Sequence, residues 1–182
     1  MNAGTIDEIL RFWFETLKPE NWYRKDPVID AEITRRFGAI YEALKLSVPQ
    51  DWLAEPKGML AAILVLDQFP RNMFRDDARA FATDRVALAL AKRAIGEGLD
   101  MRLPPEQRAF IYMPFQHSES RDDQARSIEL FTLLGAPLNL DLARRHEAII
   151  ARFGRFPHRN SVLGRESTED EMAFLKEPGS SF

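Results

Sequence analysis

Met59-Leu60-Ala61-Ala62-Ile63-Leu64-Val65-Leu66 is the longest uninterrupted apolar run in a chain of 182 residues. A bilayer-spanning helix needs about 20 such residues, so this run is too short to cross a membrane. A helix that is apolar nearly all round is normally buried on all sides. The run therefore predicts a central helix over 56–68, stopping at Phe69-Pro70, with the remaining elements arranged around it.

Working outward, helical periodicity dominates and no segment alternates like a strand for more than a few residues. Before the core run, Thr5 and Glu8 have capping-box spacing. Ile6, Ile9, Leu10, Trp13 and Leu17 then form one apolar stripe. Asp26-Pro27 reads as a cap followed by proline at the first helical position. That helix carries Ile29, Ile33, Phe37, Ile40, Tyr41 and Leu44. After the core run, a helix is expected from Thr83 or Asp84 to Gly96. Another opens at Pro104-Pro105-Glu106, and Pro114 is expected to interrupt it by removing a donor. Helices over 119–134 and 140–153 follow, stopped by Gly135 and Gly154. A short helix begins at Ser167 or Thr168, and 177–182 reads as a flexible tail. The expected architecture is one all-α domain over 1–182, with about eight helices stacked as antiparallel hairpins.

Composition narrows the function classes. The chain has no cysteine, which removes disulfides and thiolate chemistry and suits a reducing compartment. The N-terminus lacks the basic start and apolar stretch of a secretory signal, so a cytoplasmic location is expected. A net charge of −3 argues against nucleic-acid binding, and no membrane partner is indicated. Of the 25 basic residues, 19 are Arg, whose rigid fork suits carboxylates and phosphates. Codon bias explains the same skew.

Three polar-aromatic motifs stand beside helix ends. In 67–75, Asp67 faces the negative end of a helix dipole, with Arg71 and Arg75 downstream. A structural Asp–Arg pair and a pocket lining both fit. In 112–119, His117 and Glu119 lie just past Pro114, and His117 is a candidate general base; Ser118 capping the next helix is the plainer alternative. In 146–160, His146 shares an inward face with Leu142, Ile149, Ile150 and Phe153. A satisfied core histidine and a site residue are both open there. Residues 144–165 hold Arg144, Arg145, Arg152, Arg155, Arg159 and Arg165, with only Glu147 inside the stretch and Glu166 just after it, which invites an anion. Phe69-Pro70-Arg71-Asn72 is also faintly echoed by Phe156-Pro157-His158-Arg159-Asn160.

No metal-ligand spacing, phosphate loop, nucleophile elbow or dinucleotide fingerprint is present, so no metal and no cofactor are expected. The site expected from the residues is a pocket for a small anionic or carboxylate-bearing ligand. It is lined by Asp67, Arg71, Asn72, His117, Glu119, His146, Arg155, His158, Arg159 and Asn160. Arg71, Arg155 and Arg159 would hold the anion, and Asn72 and Asn160 would orient it. One alternative is a hydrolase or lyase with His117 or His146 as general base and Glu119 or Asp67 orienting the imidazole. Another is a groove for a peptide or protein partner.

Four stretches carry a family resemblance: 10–14 (Leu-Arg-Phe-Trp-Phe), 66–72 with 80–84, 112–119 and 150–160. Through them the chain resembles the bacterial family catalogued as domain of unknown function 924. The resemblance implies an all-α fold related to the tetratricopeptide superfamily of stacked helix pairs, and it implies no particular activity.

Overall fold

The computed structural model describes residues 3–181. Met1, Asn2 and Phe182 (the last residue of the expected tail) lie outside the described residues. Among these residues there is no strand, and the helices run in one continuous order. They are α1 (Ala3–Arg11), α2 (Pro19–Trp22), α3 (Pro27–Leu46), α4 (Gln50–Leu53), α5 (Pro56–Ile63), α6 (Phe69–Met73), α7 (Asp84–Gly96), α8 (Pro105–Gln116), α9 (Arg121–Leu134), α10 (Pro137–Phe153) and α11 (Glu169–Phe174). None is long and apolar enough to cross a membrane.

Helix α5 is the centre. Every residue from Met59 to Leu66 has zero exposed surface. Helices α1, α4, α7 and α8 pack against α5, and α3 packs against its continuation. Gly58 lets α5 approach α4, because a Cβ there would fall 2.5 Å from the Trp52 carbonyl oxygen. The core helix does not stop at Phe69-Pro70 as the proline suggests. Residues Leu64–Gln68 widen into a π-turn and the chain stays helical through α6. Pro70 lacks the N–H that Leu66 would have received four residues on. The buried Thr83 hydroxyl donates to that carbonyl instead, at 2.6 Å.

Two other proline and cap expectations are corrected. Helix α1 already includes Ala3, so Thr5 lies inside its first turn and does not form the cap. Pro114 sits within α8, which runs on to Gln116. Packing overrides the lost donor here, since residues 110–116 are all buried. The buried Gln124 amide on α9 also donates to the carbonyls of Gln116 (2.8 Å) and Ser118 (2.6 Å), tying down the end of α8. The Asp26 side chain does cap α3, accepting from Val28 and Ile29. Gly135 and Gly154 end α9 and α10 at φ 68° and 71°, a left-handed conformation that glycine adopts without a Cβ clash. Helices α8, α9 and α10 follow one another as packed hairpins. A small apolar cluster of Ile149, Ile150 and Phe156, covered by Phe153 and Phe174, joins α10 to the C-terminal segment.

Thr83→Val keeps the volume but strands the Leu66 carbonyl. A buried, unsatisfied acceptor costs roughly 1–3 kcal/mol. Urea unfolding of Thr83→Val is expected to show a loss in that range with an unchanged m-value.

Candidate functional site

A cavity of about 620 Å³ opens where the π-turn, α6, the end of α8, the middle of α10 and the 157–162 turn meet. Its wall carries Arg71, Asn72, His117, His146, His158 and Arg159. Six of the ten residues expected from the sequence are thus brought together around one space.

Asp67 lies just behind the wall, with no exposed surface. The π-turn that absorbs Pro70 also holds this carboxylate, and single π-turns recur at functional sites. His117 Nδ1 donates to Oδ1 at 2.8 Å and Gln68 donates to Oδ2 at 2.6 Å. Burial pushes the Asp67 carboxyl upward, but the contact with His117 and the Arg71 charge outweigh it and hold the pKa below the usual carboxylate range. Asp67 is therefore an anion, and the proton of His117 sits on Nδ1. Burial first, and the Arg71 charge second, lower the pKa of His117. At neutral pH it is a neutral imidazole with an unprotonated Nε2.

His146 has its Nδ1 hydrogen bonded to the Leu142 carbonyl at 2.8 Å, one helical turn back. Its ring centroid is 6.3 Å from that of His117. Burial is the main reason its pKa falls to about 3. Burial and the neighbouring Arg159 take His158 to about 4. The cavity thus presents three uncharged imidazoles.

Two arginines meet on one carboxylate at the first turn of α7. Arg71 grips Asp84 with both Nη atoms, at 2.9 and 3.1 Å, and also donates to the Asp67 carbonyl. Arg159 reaches Asp84 through Nη1 alone, at 3.3 Å. Arg159 as a whole is only 7% exposed. It stacks on Phe81 and Phe156, each 4.5 Å away, and its Nε has no partner. Burial lowers its pKa to about 10, so it remains charged. A guanidinium has five N–H donors, and Arg159 uses one on the protein.

The remaining expected residues lie elsewhere. Glu119 pairs with Arg165 (2.8 and 3.0 Å) and accepts the Phe156 amide, so it orients no imidazole. Arg155 pairs with Glu171 at 2.7 and 2.8 Å. The Asn160 amide is held by Ser167, Glu171 and Arg165. These three lock the C-terminal segment to the α8–α9 connection and to α11, and they do not line the cavity. Of the six arginines in 144–165, Arg159 alone reaches the wall. Asn72 lines it, but its amide donates to Asp30 at 2.8 Å, beside the Arg75–Asp30 pair. Tyr112 turns the other way, donating to Asp100 at 2.6 Å.

Other wall residues carried no sequence signal that had been read as a site. The last residue of α2, Trp22, and the loop to α3 (Tyr23, Arg24 and Lys25) contribute to the wall. The Asn-Trp-Tyr-Arg-Lys composition of this stretch (aromatics beside cations) was the available sign. Near the C-terminus, Ser180 is buried, its hydroxyl bonded to the Leu175 carbonyl at 3.2 Å, and Ser181 reaches the wall. Among the described residues no three His, Asp or Glu side chains converge as a metal-ligand set.

Fold and cavity together define an all-helical domain with an arginine- and histidine-bearing pocket at its helix ends. The family described as "Bacterial protein of unknown function (DUF924)" matches residues 9–179, and the chain belongs to it. A solved structure, that of the protein of unknown function ATU0120 from Agrobacterium tumefaciens, is 39% identical with a TM-score of 0.91. The match covers 96% of this chain and 98% of that one. No match was found among curated proteins.

The neutral histidines set a pH dependence. An unfolded histidine protonates near pH 6.5, whereas His146 resists down to about 3. Between those values the unfolded chain binds the extra proton, so stability falls as pH falls. The loss from His146 is roughly 2 kcal/mol at pH 5. Urea midpoints are expected to drop between pH 7 and 5, and His146→Gln should flatten that drop.

Proposed function

We propose that the cavity binds a small anionic, carboxylate-bearing ligand. The observation that carries this reading is Arg159, a buried, charged guanidinium on the wall with a single hydrogen bond from the protein. Burying an under-paired cation costs several kcal/mol, and an anion in the cavity supplies the missing acceptors. Among the described residues, the wall cations Arg24, Lys25, Arg71, Arg75 and Arg159 outnumber by one the carboxylates of Asp30, Asp67, Asp76 and Asp84 that pair with them. Carboxylate recognition by arginine forks is strong and directional.

Thermal-shift screening of carboxylates and phosphates is expected to raise the melting temperature of wild type. Arg159→Gln, checked for native circular dichroism, is expected to lose about tenfold or more in affinity, in line with one charge-assisted contact. Equal binding by the folded variant would rule out this role for Arg159.

A second reading, catalysis in the same cavity, is favoured by the Asp67–His117 hydrogen bond of 2.8 Å. A carboxylate fixing Nδ1–H leaves Nε2 as the proton acceptor, the arrangement general bases use. The reaction classes that fit are hydrolysis and proton abstraction leading to elimination. Incubating wild type and His117→Gln with a small-metabolite extract, followed by NMR, is expected to show consumption of a compound by wild type alone. Identical spectra from both would remove the catalytic reading.

A further inference from the structure

We infer that the cavity selects a singly charged carboxylate carried on an apolar body and discriminates against phosphate monoesters. This rests on the anion-binding reading above and deepens it to a ligand class.

The charges next to the space nearly cancel. Five cations line the wall: Arg24, Lys25, Arg71, Arg75 and Arg159. Four carboxylates are in direct ion pairs with them. Asp84 and Asp67 face Arg71, Asp84 also faces Arg159, Asp30 faces Arg75, and Asp76 faces Lys25. Among the described residues, five against four leaves one positive charge. The three histidines add none at neutral pH, because burial keeps each of them neutral. One negative charge on a ligand completes the balance. A second one meets Asp84 and Asp67 with no cation left to offset it, in a partly dehydrated space where repulsion is poorly screened.

The rest of the lining suits a body without charge. Trp22, Phe81, Met113, Leu142 and Val162 supply apolar surface on the same wall as the arginines. Trp22 is fixed from behind by its indole N–H bond to the Trp13 carbonyl at 2.9 Å and by packing on Phe110. A planar or branched hydrocarbon body can lie there while its carboxylate meets the spare donors of Arg159.

The test uses three probes on the intact protein by isothermal calorimetry: phenylacetate, acetate and phenyl phosphate. At pH 8 a phosphate monoester carries close to two negative charges, its second pKa being about 6. Phenylacetate is expected to bind at least about tenfold more tightly than either of the others. Acetate tests the apolar body and phenyl phosphate tests the charge limit. Asp84→Asn removes one carboxylate from the balance and is expected to narrow the gap between phenylacetate and phenyl phosphate. Phenyl phosphate binding as tightly as phenylacetate to wild type overturns the inference while leaving an anion site in place. Acetate matching phenylacetate overturns the apolar-body half. Binding of none of the three overturns the inference and the anion reading with it. If Asp84→Asn does not fold, the wild-type order alone decides.

Discussion

Asp67 is a carboxylate with no exposed surface at the end of the most apolar helix in the chain. An isolated charge in such a place is so costly that it either neutralises or gathers partners. Here it gathers them. His117 comes from the end of α8, Gln68 from the next position, and Arg71 from one turn along. Arg71 in turn fixes Asp84 at the start of α7, and Asp84 draws in Arg159 from beyond α10. One buried charge thus links four parts of the chain that lie far apart in sequence. The cavity is the space left between them.

The same chain of pairings explains why the site is polar but nearly neutral. Each carboxylate is matched by a cation, and the imidazoles are kept uncharged by burial. Arg159 is the exception, because Asp84 is already occupied by both Nη atoms of Arg71. A buried cation left with one long hydrogen bond is a stored cost that the fold alone does not relieve. Stacking on Phe81 and Phe156 offsets part of it. The proposed anion would offset the rest and would tie the stability of the wall to its occupancy.

Much of the fold was legible because it rests on local rules. The all-apolar run, the Asp26-Pro27 start and the glycine stops at 135 and 154 each act through one turn of helix. Prolines 70 and 114 misled because their cost is local while the compensation is tertiary. Thr83 lies 13 residues beyond Pro70 and rescues the carbonyl that this proline abandons. The site was readable as a set of residue types but not as a set of contacts. Glu119, Arg155 and Asn160 have the right chemistry for a pocket, yet each is claimed by a partner 5 to 46 residues away. Asp84 read only as a helix cap, although it organises both arginines. The echo between Phe69-Pro70-Arg71 and Phe156-Pro157-His158-Arg159 was the one sequence hint of that convergence. Both segments turn after a Phe-Pro pair and deliver an arginine to the same carboxylate.

The under-paired Arg159 guanidinium on the cavity wall is the group on which the proposed anion site depends, and a heavy-atom carboxylate reports on it directly. In a crystal soaked with 4-iodobenzoate, the account predicts an anomalous iodine peak inside the cavity near Trp22 and Phe81. The carboxylate should lie within hydrogen-bonding distance of Arg159. Iodine peaks confined to the outer surface, with the cavity holding only water at full ligand occupancy elsewhere, would contradict it.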